Sequence, residues 1–516
     1  MAREIELKLA LDASDLARLR RLSLLRPMKQ ARARTRQLNA TYFDTPSLSL
    51  KAREMALRVR DDGRSRRQTL KVGNENVNGA QERQEYEAPI EGERPDPTLI
   101  DDAGLRALFE REHLAEQLQP LFATIVKRSE VPLRFVDSEI MLALDEGEIR
   151  TQHGREPICE AELELVTGAP RRLYELALLL TESLPFRIAR DTKASRGYRL
   201  AGDAEERPQP ITAAKIRLKR DMPAAEAFVT IARARLNQLR GNEDVVFLGS
   251  DPEGVHQMRV AVRQLRALVG ASRGVLVPAA ADYLRQELRW LQRRLGPARD
   301  WDVFLAETLA PLERRLPDES SLPVLRELAE AAQHDAYAAA RDLLLDRRYT
   351  RFILQLNLWL EDSGWLSGED GGRSGARPVR EIAAVVLDKR CRQVDRLARK
   401  HKRLTTEQLH EVRLNAKKLR YAAESFRSLY KGGAKPFIGA VAGIQDHLGA
   451  LNDAVVGRGL IEDLELRAAG REAHIASLSR AARVLGGWQA ARIDAQLADL
   501  PQVLAAYRAA PRFWKA

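Results

Sequence analysis

The stretch E-I-E-L-K at residues 4–8, near the start of the chain, alternates strictly between charged and apolar side chains. In a β-strand successive side chains point to opposite faces, so Glu4, Glu6 and Lys8 share one face. Two carboxylates at this spacing can share a divalent cation, and the neighbouring ammonium suits a metal-bound polyphosphate. The stretch therefore predicts a strand whose charged face belongs to a binding site.

The same alternation of charged and apolar residues recurs further along the chain. A-L-R-V-R at residues 56–60 is rich in guanidinium groups, whereas R-Q-E-Y-E at 83–87 and E-A-E-L-E-L at 160–165 are rich in carboxylates. Any one such strand could belong to a half-exposed sheet with salt-bridged outer faces. Because several strands share the pattern, it favours a closed barrel whose charged face points inward.

The charge of the chain limits the class of partner. The chain has 516 residues, enough for two or three domains. Its formal net charge is +12 and its isoelectric point is near 9.7, which indicates an anionic partner such as nucleic acid, an acidic membrane or polyphosphate. Charge alone does not choose among the three.

The cysteine content and the hydropathy of the chain indicate its compartment. Cys159 and Cys391 are too few for a disulfide framework, which fits a reducing compartment. The N-terminus lacks the apolar core of a signal peptide, and the chain has no run of about 18 apolar residues. We therefore expect a soluble cytoplasmic protein without a membrane partner, and the sequence leaves the oligomeric state open.

The sequence pattern changes near residue 202. Before that point, short alternating segments are interrupted by two helical stretches, near 12–26 and 170–184. After it, a segment with two prolines indicates a linker, and Ala/Leu/Arg segments of helical period follow, divided by a Gly- and Ser-rich stretch at 363–378. The predicted segments are a strand-rich domain at 1–202, a linker at 203–214 and a helical domain at 215–510, with halves at about 215–362 and 379–510.

The two helical halves repeat one another. V-H-Q-M-R-V-A-V-R-Q-L-R-A at 255–267 aligns with L-H-E-V-R-L-N-A-K-K-L-R-Y at 409–421, and L-G-P-A-R-D at 295–300 aligns with L-G-A-L-N-D at 448–453. The His and basic positions recur at i, i+3, i+7 and i+10, which places them along one side of a helix. The predicted basic rows are His256, Arg259, Arg263 and Arg266 in the first half, and His410, Arg413, Lys417 and Arg420 in the second.

The N-terminal part resembles the CYTH domain, which belongs to the triphosphate tunnel metalloenzymes. The resemblance covers about residues 1–202 and implies an eight-stranded antiparallel tunnel barrel that binds triphosphate and one or two Mg²⁺ or Mn²⁺ ions. Six motifs carry it in the order found in the family: E-I-E-L-K at 4–8, T-Y-F-D-T-P at 41–46, A-L-R-V-R at 56–60, L-A-L-D-E-G-E at 142–148, E-A-E-L-E-L at 160–165 and T-K-A-S-R-G-Y at 192–198.

The resemblance to CYTH domains also implies roles for individual residues. Mg²⁺ is usually held by a few carboxylates together with phosphate oxygens, whereas arginine and lysine bind the phosphates themselves. At one position either Arg128 or its neighbour Lys127 could point inward. The implied triphosphate ligands are Lys8, Arg58, Arg60, Lys71, Arg128 and Lys193. The implied metal ligands are Glu4 and Glu6 for a first ion, with Asp145, Glu160 and Glu162 for a second ion or for orienting the attacking water; these carboxylates and Lys8 form the implied catalytic set.

The helical part resembles the CHAD domain, a helical domain that often follows CYTH. The likeness covers about residues 215–510 and rests on the duplicated H-x-x-R-x-x-x-[RK]-x-x-R signature. It implies two helical bundles related by a pseudo-twofold, enclosing a basic channel that binds polyphosphate through the two basic rows. Two other interpretations stay open: a solvated helix face and, with less support, a zinc site formed by His256 and His410.

These patterns predict an α+β protein of two domains, an eight-stranded antiparallel tunnel barrel followed by an all-α duplicated helical bundle. The matched N-terminal motifs contain no His or Cys, which disfavours covalent catalysis and favours metal-assisted attack of water. Nucleic acid is disfavoured as a partner because no strand-borne aromatic residues are interleaved with the basic positions.

The resulting expectation is a metal-dependent enzyme, with Mg²⁺ or Mn²⁺ as cofactor, that hydrolyses inorganic triphosphate to diphosphate and phosphate. Its helical domain is expected to bind inorganic polyphosphate, and association with polyphosphate granules is a further expectation. Three alternatives remain: a non-catalytic polyphosphate-binding protein, hydrolysis of thiamine or nucleoside triphosphate, and a class IV adenylate cyclase.

Overall fold

The computed structural model divides the chain into two compact units. The barrel unit comprises Met1–Arg207 together with Leu344–Asp362, and the helical unit comprises Pro208–Leu343 together with Ser363–Ala516. The structure describes residues 2–77, 80–202, 208–249, 251–272, 274–362, 365, 375–399, 404–468 and 472–515.

The barrel unit is built on one antiparallel sheet whose edges meet. The strands follow the order β5-β4-β3-β2-β6-β7-β8-β1, and β1 also pairs with β5, which closes the eight-stranded barrel that the sequence predicts. A short ninth strand, β9, adds to β1. The strands are β1 Ala2–Ala10, β2 Arg34–Asp44, β3 Met55–Asp61, β4 Arg66–Val77, β5 Ala80–Ile90, β6 Gln119–Phe135, β7 Ser138–Arg150, β8 Arg155–Thr167 and β9 Arg187–Ile188.

Helices connect and cover these strands. The helices expected near 12–26 and 170–184 are present as α1 and α4. The three others were not predicted, because short helices between strands show too few turns for a clear helical period. The helices are α1 Ala13–Arg21, α2 Ala103–Arg111, α3 Leu114–Gln117, α4 Arg171–Thr181 and α5 Lys193–Ala201.

Alternation along the strands separates the two faces of the barrel. Leu57 and Val59 are buried in an apolar cluster with Phe109 of α2. Arg58 and Arg60, which alternate with them, line the barrel interior. The apolar side chains are therefore buried between the strands and the covering helices, and the charged side chains form the lining of a tunnel.

The helical unit consists of packed α-helices, as the helical period of the sequence predicts. In the first half, Met258 and Val262 are fully buried in the bundle core, on the side of their helix next to the predicted basic row. Its helices are α6 Ala224–Gly241, α7 Glu243–Leu248, α8 Pro252–Ala271, α9 Pro278–Arg294, α10 Gly296–Val303, a π-helical segment Phe304–Leu309, α11 Ala310–Arg315, α12 Ser321–Leu345, α14 Val379–Ala398, α15 Thr406–Phe426, α16 Ala434–His447, α17 Gly449–Arg467 and α18 Glu472–Ala509. The intervening helix, α13 Arg347–Glu361, belongs to the barrel unit.

The starts of the two helical halves pair through the backbone. The Ala224 N–H donates to the Arg377 carbonyl at 2.9 Å, and the Val379 N–H donates to the Met222 carbonyl at 2.9 Å. Each half thus presents the residues just before its first long helix to the same residues of the other half. This reciprocal pairing fits a duplicated bundle.

Helix α13 departs from the domain bounds expected from the sequence. The predicted helical domain includes residues 344–362, which the structure groups with the barrel unit. There the Thr350 hydroxyl donates to the Phe186 carbonyl at 2.9 Å, and Arg171 of α4 forms an ion pair with Asp362 at 2.5 Å. A helical period in the sequence cannot show this, because it identifies a helix without identifying the surface against which it packs.

Among the described residues, every helix is too short or too polar to cross a membrane.

Candidate functional site

The interior of the barrel is a cavity of about 270 Å³ whose lining is mostly charged. Strand alternation and the helix α5 bring together there most of the residues that the sequence predicts as ligands. The predicted residues that line it are Glu6, Lys8, Arg58, Arg60, Lys71, Arg128, Asp145, Glu162 and Lys193.

Of the remaining predicted carboxylates, one lies beside the cavity and the side chain of the other is outside the described residues. Glu160 is buried but contacts the Lys193 ammonium and, at 3.5 Å, Arg196, rather than the cavity surface. Glu4 belongs to β1, where its backbone is opposite Arg83 of β5, and its side chain lies outside the described residues.

The choice between Arg128 and Lys127 is decided by the register of β6. Arg128 lines the cavity, whereas Lys127 is exposed. Arg128 lies opposite Asp145 of β7, and its Nε and Nη2 donate to the two carboxylate oxygens of Asp145 at 2.7 and 2.6 Å. The same Nη2 also donates to Glu162. This bidentate geometry fixes the guanidinium plane against one wall of the tunnel.

Three carboxylates form a compact cluster on β7 and β8. Asp145 lies opposite Glu160 in the strand register, and Glu162 is two residues further along β8. Oxygen atoms of the three groups lie within 4.8 Å of one another. The Lys193 ammonium contacts all three, at 2.7 Å from Asp145 and 3.0 Å from Glu162, with a shorter contact to Glu160.

Charge compensation keeps Asp145 and Glu162 of this cluster ionised. Burial alone raises the pKa of the Glu162 carboxyl, but the charges of Arg128 and Lys193 outweigh burial and hold the pKa well below its usual range. The pKa of Asp145 is lowered for the same reason, with Lys193 as the largest opposing charge. Burial also opposes the charged form of Lys193, yet the carboxylates raise the pKa of its ammonium well above the usual value.

The other wall of the tunnel carries cations paired with glutamates of β5. Glu85 lies 3.9 Å from Arg58 and 3.3 Å from Lys71, and Glu87 lies 3.5 Å from Arg60. These acids neutralise part of the positive charge while leaving the cations facing the cavity. The wall can therefore receive an anion that carries several negative charges.

Tyr42 of β2 is the aromatic side chain of this cavity lining. Its hydroxyl lies 3.4 Å from Nη1 of Arg58. Burial raises the pKa of the phenol, but the Arg58 charge and its hydrogen bond lower the pKa further, so the net shift is downward. The phenol thus adds a polar group to the cationic wall.

The helical unit brings together the middle of the two predicted basic rows. Helices α8 and α15 are in contact, with the Gln264 amide donating to Glu424 at 3.4 Å. The side-chain charges of Arg263 and Arg413 act on Lys417, and burial together with these charges lowers the pKa of Lys417 to about 7. A lysine so affected lies in a crowded cluster of cations.

Several guanidinium groups of this cluster keep unused donors. The Nε atoms of Arg259, Arg263 and Arg413 are buried and have no hydrogen-bond partner among the described residues. Arg259 also lies 3.5 Å from Asp300, which belongs to the matched L-G-P-A-R-D motif. Its counterpart in the second motif, Asp453, is the main negative charge acting on Arg413.

The outer members of the two rows are placed differently. Arg266 donates to Gln292, and Arg420 forms an ion pair with Glu424 at 2.9 Å, so both have partners on their own side of the bundle. Burial, followed by the charge of Arg299, lowers the pKa of His256. Burial and the charges of Arg413 and Lys417 likewise lower the pKa of His410, the first member of the second row.

Comparison with known proteins agrees with the two units. The CYTH domain family matches residues 2–198, and the CHAD domain family matches residues 230–462. The chain belongs to the CYTH–CHAD proteins.

Relatives of this CYTH–CHAD protein match its parts to different extents. The inorganic triphosphatase of Haemophilus influenzae is 35% identical over 168 residues, which are 32% of this chain and 46% of that protein, so the match spans about half the length of this curated relative. An uncharacterized protein of Mycobacterium tuberculosis is 26% identical over 459 residues, 82% of this chain and 81% of that protein. The crystal structure of a CHAD domain from Ricinus communis has 30% sequence identity and a TM-score of 0.50, and it covers 59% of this chain and 99% of that one.

Sequence reasoning did not assign several further residues that line the CYTH tunnel. Some carried a signal: Glu130 is two residues from Arg128, and Glu164 is two residues from Glu162, so alternation places each pair on one face. In the CHAD unit, Arg299 and Asp300 were inside a recognised repeat motif but were not assigned to the site. The unassigned tunnel residues with polar side chains are Tyr42, Thr124, Glu130 and Thr192. Glu85, Glu87 and Glu164 also line the tunnel, and they belong to the charged segments 83–87 and 160–165 that the sequence identifies, although they are not among the predicted ligands.

The carboxylates of the CYTH tunnel fit a divalent metal ion. Oxygen atoms of Asp145, Glu160 and Glu162 lie close enough to share one ion, and the lowered pKa values of Asp145 and Glu162 keep those two groups ionised. Hard cations such as Mg²⁺ prefer this all-oxygen donor set. Glu6, on the adjacent strand β1, adds a further carboxylate to the same cavity.

Proposed function

We propose that the CYTH tunnel hydrolyses inorganic triphosphate to diphosphate and phosphate with Mg²⁺ or Mn²⁺, and that the CHAD unit binds inorganic polyphosphate. The observation that carries the first part is the convergence of two charge sets on one cavity. Cations of β1, β3 and β4 and carboxylates of β1, β7 and β8 all line the same space of about 270 Å³.

The cationic set suits a short chain of phosphates. Arginine donates to phosphate through a planar fork, whereas lysine acts as a point charge that adapts to the position of an oxygen. Arg58 and Arg60 lie two residues apart on β3, and Lys71 of β4 lies next to them in the register, opposite Ala56. These side chains would bind and orient the phosphates.

The carboxylate set suits hydrolysis assisted by a metal. Asp145 and Glu162 have lowered pKa values, so they serve better as ligands or as acceptors that orient a water molecule than as strong bases. The metal would supply Lewis-acid stabilisation of the phosphoryl oxygens when bound. Glu6, Asp145, Glu160 and Glu162 are the described residues that we propose to hold it, and Glu4 is proposed from its motif.

The lining of the cavity favours inorganic triphosphate over a nucleotide. Its apolar members are mostly small or aliphatic, including Ala40, Ala56 and Val126, and Tyr42 is engaged with Arg58. Stacking of a base needs an accessible aromatic or guanidinium plane. The curated relative named inorganic triphosphatase supports the same choice for the CYTH part.

The polyphosphate proposal for the CHAD unit rests on the unused donors of Arg259, Arg263 and Arg413. Buried donors without partners are costly, and an anion that accepted from them would relieve that cost. The duplicated arrangement extends the cationic surface beyond what a single phosphate needs. Binding of long chains would place the protein at polyphosphate granules in the cytoplasm.

A panel of substrates tests the catalytic proposal directly. The full chain is incubated with inorganic triphosphate, thiamine triphosphate and ATP, each with Mg²⁺ or Mn²⁺, and the products are separated by ion chromatography. We expect diphosphate and phosphate from inorganic triphosphate at the highest rate. Cyclic AMP from ATP would support the cyclase instead, and binding of triphosphate without cleavage would support a non-catalytic role.

A further inference from the structure

The Lys193 ammonium occupies the centre of the three-carboxylate cluster. It contacts Asp145 at 2.7 Å and Glu162 at 3.0 Å and also contacts Glu160. All these side chains are almost completely buried. The cluster is therefore a preformed cation-binding site, and the cation that occupies it is the ammonium of Lys193.

The charges around this site already balance. Asp145, Glu160 and Glu162 supply three negative charges. Lys193 and Arg128 lie in direct contact with them, and Arg196 lies 3.5 Å from Glu160. Lys8 lies 3.4 Å from Glu162 and 3.1 Å from Glu6, so each further cation is matched by an acid of the cluster or its neighbour. A divalent ion added beside Lys193 would place two more positive charges within a few ångströms of a buried ammonium, which the low local dielectric makes costly.

The backbone that carries Lys193 is fixed, while its side chain is long. Thr192 and Ser195 form a capping box at the start of α5. Gly197 lies against the ring of Phe122 so closely that a Cβ there would be 2.1 Å from a ring carbon. The cap and this contact hold the start of α5 against the barrel, and rotation of the long lysine side chain is enough for the ammonium to change partners.

We propose that Lys193 is the resident cation of the Asp145, Glu160 and Glu162 cluster, and that a divalent ion enters the cluster only when a bound triphosphate draws the ammonium away. This inference rests on the proposed triphosphate function of the tunnel. Lys193 lines the same cavity as Arg58, Arg60 and Lys71, so a phosphate held by those residues competes with the carboxylates for it. Anion binding and entry of this metal are then coupled, with the anion first.

Counting bound Mn²⁺ on the full chain tests the inference without relying on turnover. Free Mn²⁺ is followed by electron paramagnetic resonance during titration, with no triphosphate present. We expect Lys193→Met to bind one more equivalent of Mn²⁺ than the wild-type chain, and Asp145→Asn in the Lys193→Met background to remove it. Lys193→Arg keeps the positive charge in the cluster and is expected to bind the same number of Mn²⁺ ions as the wild-type chain.

A matched control comes from the same helix. Arg199→Met also removes one cation from α5, but Arg199 pairs with Asp191 at 2.7 Å and is not part of the cavity lining. It is expected to leave the Mn²⁺ count unchanged. Circular dichroism verifies that each variant is folded, and Lys193→Gln, which keeps a polar group in the cluster, replaces the methionine variant if that one does not fold.

In a second experiment, Mn²⁺ binding to the wild-type chain and to Asp145→Asn is measured with and without an imidotriphosphate that resists hydrolysis. Asp145→Asn is expected to lower the number of Mn²⁺ ions bound in the presence of this analogue and to leave the number unchanged in its absence. If Asp145→Asn lowers the number of bound Mn²⁺ ions even without the analogue, the inference is overturned. So would a Lys193→Met chain that gains no ion.

The outcomes separate this inference from the proposed function. If the wild-type chain hydrolyses triphosphate but the Lys193→Met variant binds no additional Mn²⁺, the proposed function is supported and the role of Lys193 as resident cation is rejected. The opposite result is also possible: the wild-type chain releases no phosphate, but the Lys193→Met variant binds an additional ion that Asp145→Asn removes. In that case Lys193 is the resident cation and the proposed function is rejected.

Discussion

The Tyr198 hydroxyl donates a hydrogen bond to the buried carboxylate of Asp44 at 2.9 Å. Asp44 ends β2, and it also accepts from three backbone N–H groups in the turn at residues 45–51. Tyr198 lies on α5, the helix that carries Lys193. One carboxylate thus joins the end of a barrel strand to the helix that brings a lysine into the tunnel.

Tyr198→Phe removes that hydrogen bond without removing the ring. A hydrogen bond to a charged group typically contributes about 1.5–3 kcal/mol, and the three backbone donors remain to satisfy Asp44, so we expect a loss of unfolding free energy near the lower end. Urea denaturation of the full chain measures it. Unchanged stability would show that the bond does not anchor α5.

Most of the barrel could be predicted because its signal is local. Alternation at residues 4–8, 56–60 and 160–165 gives both the strands and the face on which each charged side chain lies. The pairing of acids with cations could not be predicted in this way. Glu85 lies opposite Lys71 in the register of β4 and β5, and it also reaches Arg58 on β3, the next strand along the sheet; the strands that neighbour one another are not encoded in a single strand.

The helical unit shows the same limit. The repeat predicts that α8 and α15 are equivalent, and the spacing predicts one basic side for each. It does not say which members of the rows converge. Arg263, Arg413 and Lys417 act on one another, whereas Arg420 is paired with Glu424 and Arg266 with Gln292, since those partners come from the packing of neighbouring turns and helices.

Arg60 and Arg67 form a matched pair for testing the phosphate-binding wall. Both contact Glu87, at 3.5 and 3.0 Å, but only Arg60 lines the cavity. Arg60→Ala is expected to weaken triphosphate binding by about 1.5–3 kcal/mol, the range for a charged hydrogen bond. Arg67→Ala is expected to leave binding nearly unchanged. Calorimetry with a non-hydrolysed analogue measures both, and equal losses would place the anion elsewhere.

Arg259 and Arg413 test whether the two CHAD halves bind one polyphosphate chain. Each alanine variant is expected to lower affinity for long-chain polyphosphate, and the double variant more than either, with a weaker dependence on salt because fewer counterions are released. The control is the double alanine variant of Arg285, which is half-buried and paired with Asp282, and Arg392, which is exposed. Normal binding by the Arg259 and Arg413 double variant, or equally tight binding of duplex DNA, would show that these helices form only a solvated face.

From the position of Lys417 we predict that polyphosphate binding is accompanied by the uptake of a proton. Burial and the charges of Arg413 and Arg263 lower its pKa to about 7, so the amine is mostly neutral at pH 8. A bound phosphate favours the charged form and raises that pKa, so binding takes up a proton and affinity falls as pH rises above 7. Calorimetry at pH 8 in buffers of different ionisation enthalpy measures the uptake.

Two variants make the assignment to Lys417 specific. Lys417→Met is expected to reduce the proton uptake, and Lys435→Met, at an exposed position of α16, is expected to leave it unchanged. Equal proton uptake by all three chains would assign the linkage to other groups of the cluster.

Metal-dependent cleavage of triphosphate in the tunnel is measured by the rate of phosphate release from inorganic triphosphate by the full chain. We predict equal amounts of phosphate and diphosphate in Mg²⁺ or Mn²⁺ and no release in EDTA. Glu6→Gln should lower the rate by about 100-fold or more, as expected for loss of a charged group at the reaction centre, whereas Glu146→Gln, at an exposed position on β7, should not. Normal turnover by Glu6→Gln, or no turnover by the wild-type chain with either metal, would rule out metal-dependent hydrolysis at this site.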